Sequence, residues 1–279
     1  MKLLSRTRSQ RRKRLRLRLF LILALALLVL ALLAPVLAPN DPNATSSGDM
    51  NRPPCAKYPF GTDRYGRCVC SRVLMGARTS VFSTLCLVGA TFLFGTLAGM
   101  LAGYYGGIPD TVVMRLADVL LSFPQMVLAI AVAGILGGGM LNAMLALGIT
   151  GWTLYARLAR AQVLSLREEA FVQAARLSGC SGPRILLGTL LPNILGPLLV
   201  SAASQLGTMM IGIAGLSFLG IGVQEPQAEW GSMISASRAY LQLAPWSVLA
   251  PAAAVILTVM LWGCLGDSAR DWLDVEGKR

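Results

Sequence analysis

Six cysteines and a complete lack of histidine limit the chemistry open to this 279-residue chain. Cys55, Cys68 and Cys70 lie close together in the sequence. A structural zinc site would need a fourth ligand, which this stretch does not offer, whereas one disulfide with a leftover thiol suits an oxidising compartment. We therefore predict that Cys55 pairs with Cys68 or Cys70, with independent packing residues as the alternative. No metal site is predicted.

The residues that usually carry catalysis are also missing. The chain has no histidine, no G-x-x-x-x-G-K-[ST] phosphate loop and no carboxylate pair placed around a substrate. We predict that it is not an enzyme and needs no cofactor. Arg115 and Asp118 stand at the end of an apolar stretch, where charged residues indicate function by default. Their three-residue spacing favours a local ion pair that anchors a helix end.

The composition indicates which solvent surrounds the chain. Hydrophobic residues make up 55% and charged residues only 14%, against about 25% charged in soluble domains. Between residues 79 and 156 the only charged side chains are Arg115, Asp110 and Asp118. Such a stretch is long enough for three membrane crossings at about 20 residues each. The pattern predicts a membrane protein.

We predict an all-α, polytopic fold with six transmembrane helices. The predicted spans are residues 19–38, 81–103, 116–136, 141–156, 195–216 and 247–265. The fourth span is short, and the alternative is a partly buried hairpin with the third. The chain then divides into a basic tail (1–18), a first helix with an external loop (19–78), and a core of five helices (79–279).

Basic residues predict the orientation. The first 18 residues hold nine of the 25 Lys and Arg residues and no acid, which places the N-terminus in the cytoplasm. Six crossings then place the C-terminus there as well. A signal peptide would have a shorter apolar run and a cleavage site, and a juxtamembrane basic cluster contacts anionic lipid rather than nucleic acid. The predicted external loop, 39–78, opposes the rule, with six Lys or Arg residues against three Asp.

Three glycines of the second predicted span recur every fourth residue, at Gly95, Gly99 and Gly103. This spacing lets a neighbouring helix backbone approach closely, because lipid offers no hydrophobic drive for helix association. We predict that this face is a packing interface. The spacing does not say whether the partner helix belongs to this chain or to another.

The segment 161–194 is charged and amphipathic, and the predicted topology places it in the cytoplasm. Residues 161–177 show apolar positions at helical spacing. Gly179 then supplies a helix stop, Ser181 and Pro183 open a second short helix, and Pro192 bends the chain back into the fifth span. We predict two short helices joined at a tight corner.

This segment resembles the "EAA" loop of ABC-importer permeases, whose pattern is E-A-A-x3-G-x9-I-x-L-P. Ala174, Ala175, Gly179 and Pro192 match it, whereas Gln173 replaces the usual Glu, and Thr189 stands where Ile is usual. Glu168 or Glu169, one turn upstream, could supply the missing carboxylate. The residues that the resemblance assigns to ATPase coupling are Glu168, Glu169, Gln173, Ala174, Ala175, Arg176, Gly179, Pro183 and Pro192.

Four further blocks resemble the permeases of peptide and nickel importers: FGTDRYGRCVCSRVLMGARTS, MRLADVLLSFP, GLSFLGIGVQEPQAEWGSMI and LGDSARDWLD. In the first block, Cys68 stands where the family has Asp. Each block is modest alone, but their order along the chain is specific. The resemblance covers nearly all of the chain after the basic tail.

The resemblance implies a type I ABC-importer permease in the inner membrane of a bacterium. The implied partners are a second permease subunit, two cytoplasmic ATPase subunits, an external substrate-binding protein and the lipid bilayer. The segment 161–194 would be the coupling helix, and ATP hydrolysis would reside in the ATPase chains. A membrane scaffold or sensor whose cytoplasmic helices bind another kind of partner is the alternative.

The substrate stays open between nickel and small peptides. The blocks R-L-S-G and A-E-W-G and the short N-terminal region resemble nickel permeases more than peptide permeases. Histidine is a preferred nitrogen ligand of nickel. Without it, nickel would have to pass as a chelate or be handled chiefly by the binding protein.

Overall fold

The computed structural model describes residues 2–276, and the side chains of residues 12–273. It is an all-α, polytopic membrane fold, which confirms the predicted class. The helices of the described residues are α1 (Lys2–Leu37), α2 (Val69–Tyr105), α3 (Gly107–Leu121), α4 (Gln125–Leu136), α5 (Met140–Leu166), α6 (Ala170–Leu177), α7 (Gly182–Ile185), α8 (Leu191–Phe218), α9 (Trp230–Ser237) and α10 (Trp246–Glu276).

The predicted basic tail has no secondary-structure boundary of its own. Helix α1 begins at Lys2 and continues through the tail into the first span. The predicted boundary at residue 18 therefore marks a change from basic to apolar residues and not the start of a helix. The side chains of residues 1–11 lie outside the described part of the chain.

The described residues contain four helices, or continuous pairs of helices, that are long and apolar enough to cross a membrane, and a fifth if α3 and α4 form one span. The predicted fourth span lies inside α5, which has 27 residues but is not among these candidates. Helix α5 packs against α2, α3, α4 and α8 and buries small and polar residues such as Thr150 and Thr153. A helix surrounded by protein does not need a fully apolar surface. Because α5 is not among the four or five candidate spans, the six-helix count stays a prediction.

The third predicted span, 116–136, is not one straight helix. The chain breaks after Leu121, and α3 and α4 meet at 91°. Pro124 stands at the break and precedes the first residue of α4. Proline has no N–H to donate and disfavours helical backbone in the residue before it, so the break falls where the sequence allows it.

The glycine face of α2 lies against α5 of the same chain. A Cβ atom on Gly95 would lie 2.2 Å from the carbonyl oxygen of Trp152, and one on Gly99 would lie 2.2 Å from that of Ala156. At Gly103 the nearest atom is the carbonyl oxygen of Arg160, at 3.0 Å. The two helices therefore touch backbone to backbone along two turns.

The external segment predicted at 39–78 folds around a buried ion cluster. Arg67, only 4% exposed, pairs with Asp63 at 2.7 Å and with Glu225 at 2.8 Å. Arg64 also pairs with Glu225, and Arg72 lies 3.8 Å from Asp63. One acid from a distant loop, Glu225, therefore neutralises part of the excess positive charge of this segment.

Helix α9 is tied to α2 by a buried carboxylate. Glu229 precedes α9 and accepts hydrogen bonds from the backbone N–H groups of Gly231 at 2.9 Å and Ser232 at 2.8 Å. The Ser80 hydroxyl on α2 donates to the same carboxylate at 3.2 Å. This is an N-cap with a tertiary contact, and it satisfies donors that a helix end leaves open.

The disulfide predicted for the external segment is not formed in the structure. Cys55, Cys68 and Cys70 are all free thiols, with Cys55 exposed and Cys68 buried. Cys68 forms a backbone bridge with Thr62 and caps the start of α2, which buries its side chain.

Candidate coupling surface

The predicted cytoplasmic segment contains a short amphipathic helix, α6. The continuous helix predicted over 161–177 is wrong, because α5 ends at Leu166 and the chain turns before α6 begins at Ala170. On α6, Val172 is fully buried, whereas Leu177 is 90% exposed. A single exposed apolar side chain is common on protein surfaces, so the docking role predicted for this helix rests on the resemblance of its segment and not on this exposure.

A left-handed glycine ends α6. Gly179 has φ of +75°, and the N–H of Cys180 donates to the carbonyl of Ala175 at 3.1 Å across it. This six-to-one bond is the mark of a Schellman stop. A Cβ atom on Gly179 would meet nothing within 4 Å, so the backbone conformation, and not space, requires glycine here.

The second predicted short helix is the start of the fifth span. Helix α7 continues through a π turn, Leu186–Leu190, directly into α8, and Gly182–Phe218 forms one long membrane candidate. Pro192 therefore lies inside this continuous helix and does not bend the chain back. The turn occurs at Gly179 and Ser181, before the helix begins.

A buried apolar cluster anchors the corner to the membrane helices. Val172 of α6 belongs to it, together with residues of α2, α5, α7, the π turn and α8. The fully buried or nearly buried members are Met100, Ala159, Val163, Val172, Ile185, Leu186, Leu190, Ile194 and Leu198. Helix α6 is therefore connected to these helices through closely packed side chains.

The corner also rests on the end of α2. The Arg176 guanidinium lies 5.3 Å from the centre of the Tyr104 ring, within reach of a cation–π interaction. A Cβ atom on Gly182 would lie 2.9 Å from the Tyr105 hydroxyl. The two tyrosines thus hold both sides of the corner, a contact that the sequence did not suggest.

The acidic residues proposed for the motif differ in their contacts. Glu168 accepts a hydrogen bond from the Gln173 amide at 3.2 Å and pairs with Arg167 at 3.2 Å. Glu169 is exposed and precedes α6 without capping it through its side chain. The glutamine that replaces the family's glutamate is thus held by the carboxylate five residues before it.

Two ion pairs join α3 to α5 beside the corner. Asp110 binds both Nε and one terminal nitrogen of the Arg160 guanidinium, and Asp118 pairs with Arg157. The local pair predicted between Arg115 and Asp118 is therefore wrong. The side chain of Asp118 reaches across to α5, which supplies a guanidinium that the sequence spacing alone could not reveal.

The corner brings most of the predicted coupling residues to one surface. Ala174, Arg176, Gly179 and Pro183 are exposed there, while Pro192 lies further along the fifth span. Leu177, Arg184 and Leu187 are also exposed in this segment and were not predicted. Among the described residues no group of three His, Cys, Asp or Glu side chains could hold a metal ion. The surface offers apolar, small and cationic groups for docking.

Comparisons with known proteins agree with this geometry. A family model described as "Binding-protein-dependent transport system inner membrane component" matches residues 95–275. The dipeptide transport system permease protein DppC of Alkalihalophilus pseudofirmus is 40% identical over 248 residues, which cover 89% of this chain and 82% of that protein.

The chain belongs to the peptide/nickel permease family of ABC importers. The nickel transport system permease protein NikC of Escherichia coli K12 is 38% identical, covering 85% of each chain. As a member of this family, the present chain is a multi-pass inner-membrane component of a binding-protein-dependent transporter, and it is not an enzyme. Its family implies ATPase and binding-protein partners.

A solved structure shares the fold of this permease. The MetNI methionine ABC transporter, in an inward-facing conformation, matches with a TM-score of 0.50 at 21% sequence identity. The match covers 70% of this chain and 94% of that chain.

Proposed function

We propose that this permease forms half of the translocation pathway of an ATP-driven importer and couples to the ATPases through the corner at 161–194. In this proposal the chain pairs with a second permease subunit, and the pair binds two cytoplasmic ATPase subunits and an external binding protein. Glu168, Glu169, Gln173, Ala174, Ala175, Arg176, Gly179, Pro183 and Pro192 carry the coupling.

The observation that carries the proposal is the exposed corner on a buried anchor. Leu177 and Arg176 present apolar and cationic groups outward, while Val172 and the cluster beneath it connect α6 to α2, α5 and α8. ATPase closure would displace α6 as a rigid body, and the packed cluster would carry this displacement into the membrane helices. Such rigid-body rocking is how transporters alternate access to a central site.

The proposed topology has six crossings with both termini in the cytoplasm. Lys13 near the start of α1 lies 3.7 Å from Asp271 near the end of α10, so both helix ends lie on one side of the bundle. An even number of crossings satisfies this contact. The basic N-terminal segment supports the cytoplasmic side.

The proposed cargo is a small peptide or a nickel chelate. The dipeptide and nickel permeases that the chain resembles are similar to it to nearly the same degree, at 40% and 38% identity. The lack of histidine disfavours direct transfer of bare nickel between side chains of this subunit. Ligand identification on the cognate binding protein separates the two cargoes.

Co-purification and uptake test the coupling proposal against a membrane scaffold or sensor. The full-length permease should co-purify with an ATPase and a second permease of similar size, and ATP should drive uptake of a labelled dipeptide or of nickel in proteoliposomes. A chain that retains a different cytoplasmic partner, and no ATPase, would support the scaffold or sensor instead.

A further inference from the structure

A cavity of about 650 Å³ lies between α1, α2 and the loops at the end of the bundle opposite the corner. Arg78 of α2 lines it, nine residues after the helix begins at Val69. At a rise of about 1.5 Å per residue, the backbone of Arg78 lies roughly 13 Å from the start of α2, just before the predicted span 81–103 starts. In the proposed topology this depth is the outer membrane interface.

Arg78 has no carboxylate partner among the described residues. Three acids near this end of the bundle pair with other cations: Asp49 with Arg52 and Lys57, and Asp63 and Glu225 with Arg64, Arg67 and Arg72. Two further acids are held by other donors: Asp41 accepts from the backbone N–H of Asn43, and Glu229 accepts from Ser80 and two backbone N–H groups. Arg78 is exposed and lines the cavity, so its guanidinium is accessible to an anion that enters. An anion that enters the cavity would supply the missing charge.

The cavity is polar on one side and apolar on the other. Asn43 and Gln227 place amide groups beside Arg78, and no Asp or Glu lines the cavity within the described residues. Leu32, Phe82 and Met140 form the apolar side. Leu32 belongs to α1, the most apolar of the candidate spans and the one with the smallest share buried within the chain.

We propose that this cavity binds the phosphate headgroup of an anionic phospholipid. The Arg78 guanidinium matches a phosphate in charge and in bidentate geometry. The amides add neutral donors, and the apolar side accepts the beginning of the acyl chains. The cavity borders α1, the most apolar candidate span and the one least buried within this chain, which favours a lipid over a soluble anion.

Native mass spectrometry of the full-length permease in detergent tests this site. The delipidated protein is titrated with phosphatidylglycerol and, separately, with phosphatidylcholine of the same acyl chains. The first phosphatidylglycerol should bind at least about tenfold more tightly, because a hydrogen-bonded charge pair contributes on this scale. The readout does not depend on membrane orientation or on transport, so it fails independently of the proposed function.

Three variants make the test specific. Arg78→Gln should abolish the preference for phosphatidylglycerol, and Arg78→Lys should retain part of it, because lysine keeps the charge but loses the bidentate geometry. Arg238→Gln removes a charge from an exposed arginine outside the cavity and should leave the preference unchanged. An equal preference in Arg78→Gln and the natural protein would overturn the proposal.

Competition separates a lipid from soluble anions. Inorganic phosphate or a dipeptide at millimolar concentration should not displace phosphatidylglycerol from the natural protein. Displacement by phosphate would reassign the cavity to a free anion. Displacement by the dipeptide, absent in Arg78→Gln, would reassign it to the transported substrate, and either result would overturn the lipid assignment.

Discussion

Gly99 of α2 stands directly against the backbone of Ala156 on α5: a Cβ atom on the glycine would lie 2.2 Å from the alanine's carbonyl oxygen. Real side chains never approach a carbonyl so closely, so only glycine permits this helix contact. The contact lies within the bundle between the ion cluster of Arg67, Asp63 and Glu225 and the corner that follows α6. It therefore sets the distance between the two helices that also support α6.

Alanine substitutions should rank the glycines of α2 by the atoms they meet. Gly99→Ala should destabilise the protein by about 1–3 kcal/mol or more, because the overpacked backbone has to move. Gly103→Ala, with its nearest atom at 3.0 Å, should cost less. Gly89→Ala is the control, since nothing lies within 4 Å of its Cβ position. Thermal unfolding in detergent gives the order, and equal effects at Gly99 and Gly89 would contradict the packing account.

Gly179→Val should disconnect transport from the ATPases. A β-branched residue at this positive φ costs about 1–2 kcal/mol, which re-aims the chain after α6 and lowers the docked population roughly tenfold. The variant should insert and fold normally, because its Cβ meets no other atom within 4 Å. Gly179→Asn is the matched control, because asparagine tolerates this conformation. Uptake and ATPase pull-down are measured together, and normal values for both in Gly179→Val would refute the coupling role.

Arg67→Gln should destabilise the external segment by about 3–5 kcal/mol, because it leaves the buried Asp63 without its closest partner. Arg52→Gln, which removes an arginine whose side chain is 56% exposed and leaves Asp49 with Lys57 as a second partner, should change little. Limited proteolysis of the external segment and thermal unfolding both report the difference. Equal protease sensitivity in the two variants would show that the cluster does not hold this segment.

Two glutamates in the segment before α9, Glu225 and Glu229, should give opposite pH dependences. Burial raises the pKa of Glu229, and its hydrogen bonds only partly oppose this. Burial would also raise the pKa of Glu225, but the hydrogen bond and charge of Arg67 outweigh it, and that pKa lies below its ordinary value. By linkage, the stability that Glu229 contributes to the folded protein is lost as pH rises through its raised pKa. The stability that Glu225 contributes is lost as pH falls through its lowered pKa.

Thermal unfolding of the two glutamine variants at several pH values should show both pH dependences. Glu229→Gln should gain stability relative to the natural protein as pH rises from about 5 to 8, whereas Glu225→Gln should converge with it in acid. Glu229→Ala should lose about 1–3 kcal/mol, because the Gly231 and Ser232 N–H groups lose their acceptor. The same pH slope for both glutamine variants would contradict the assignment of the two carboxylates.

The sequence predicted the helical class and the glycine face because both depend on local periodicity. Hydropathy alone located the long apolar helices, and the four-residue spacing of Gly95, Gly99 and Gly103 marked one face of α2. Pro124 is a local signal for a helix break, but the hydropathy of 116–136 favoured one continuous span in the prediction. The extent of α5 was missed because a helix buried in protein does not need a lipid-facing composition.

Tertiary pairings could not be predicted in the same way. Arg67 meets Glu225 across 158 residues of sequence, and Ser80 meets Glu229 across 149. Asp118 pairs with Arg157, and not with Arg115, which is nearer in sequence, because α5 brings the Arg157 guanidinium within reach. The coupling residues came from the family resemblance, and the exposure of Leu177 and the support from Tyr104 became visible only in three dimensions.

The most direct test of the coupling account is a photo-cross-link from the exposed corner. A photoreactive phenylalanine analogue replaces Leu177, and a matched variant carries it at Leu243, which is also exposed but lies between α9 and α10. After illumination of intact membranes, position 177 should cross-link to an ATPase subunit and position 243 should not. Cross-links from position 177 to lipid or to other proteins, with no ATPase adduct, would contradict the assignment of this corner as the coupling element.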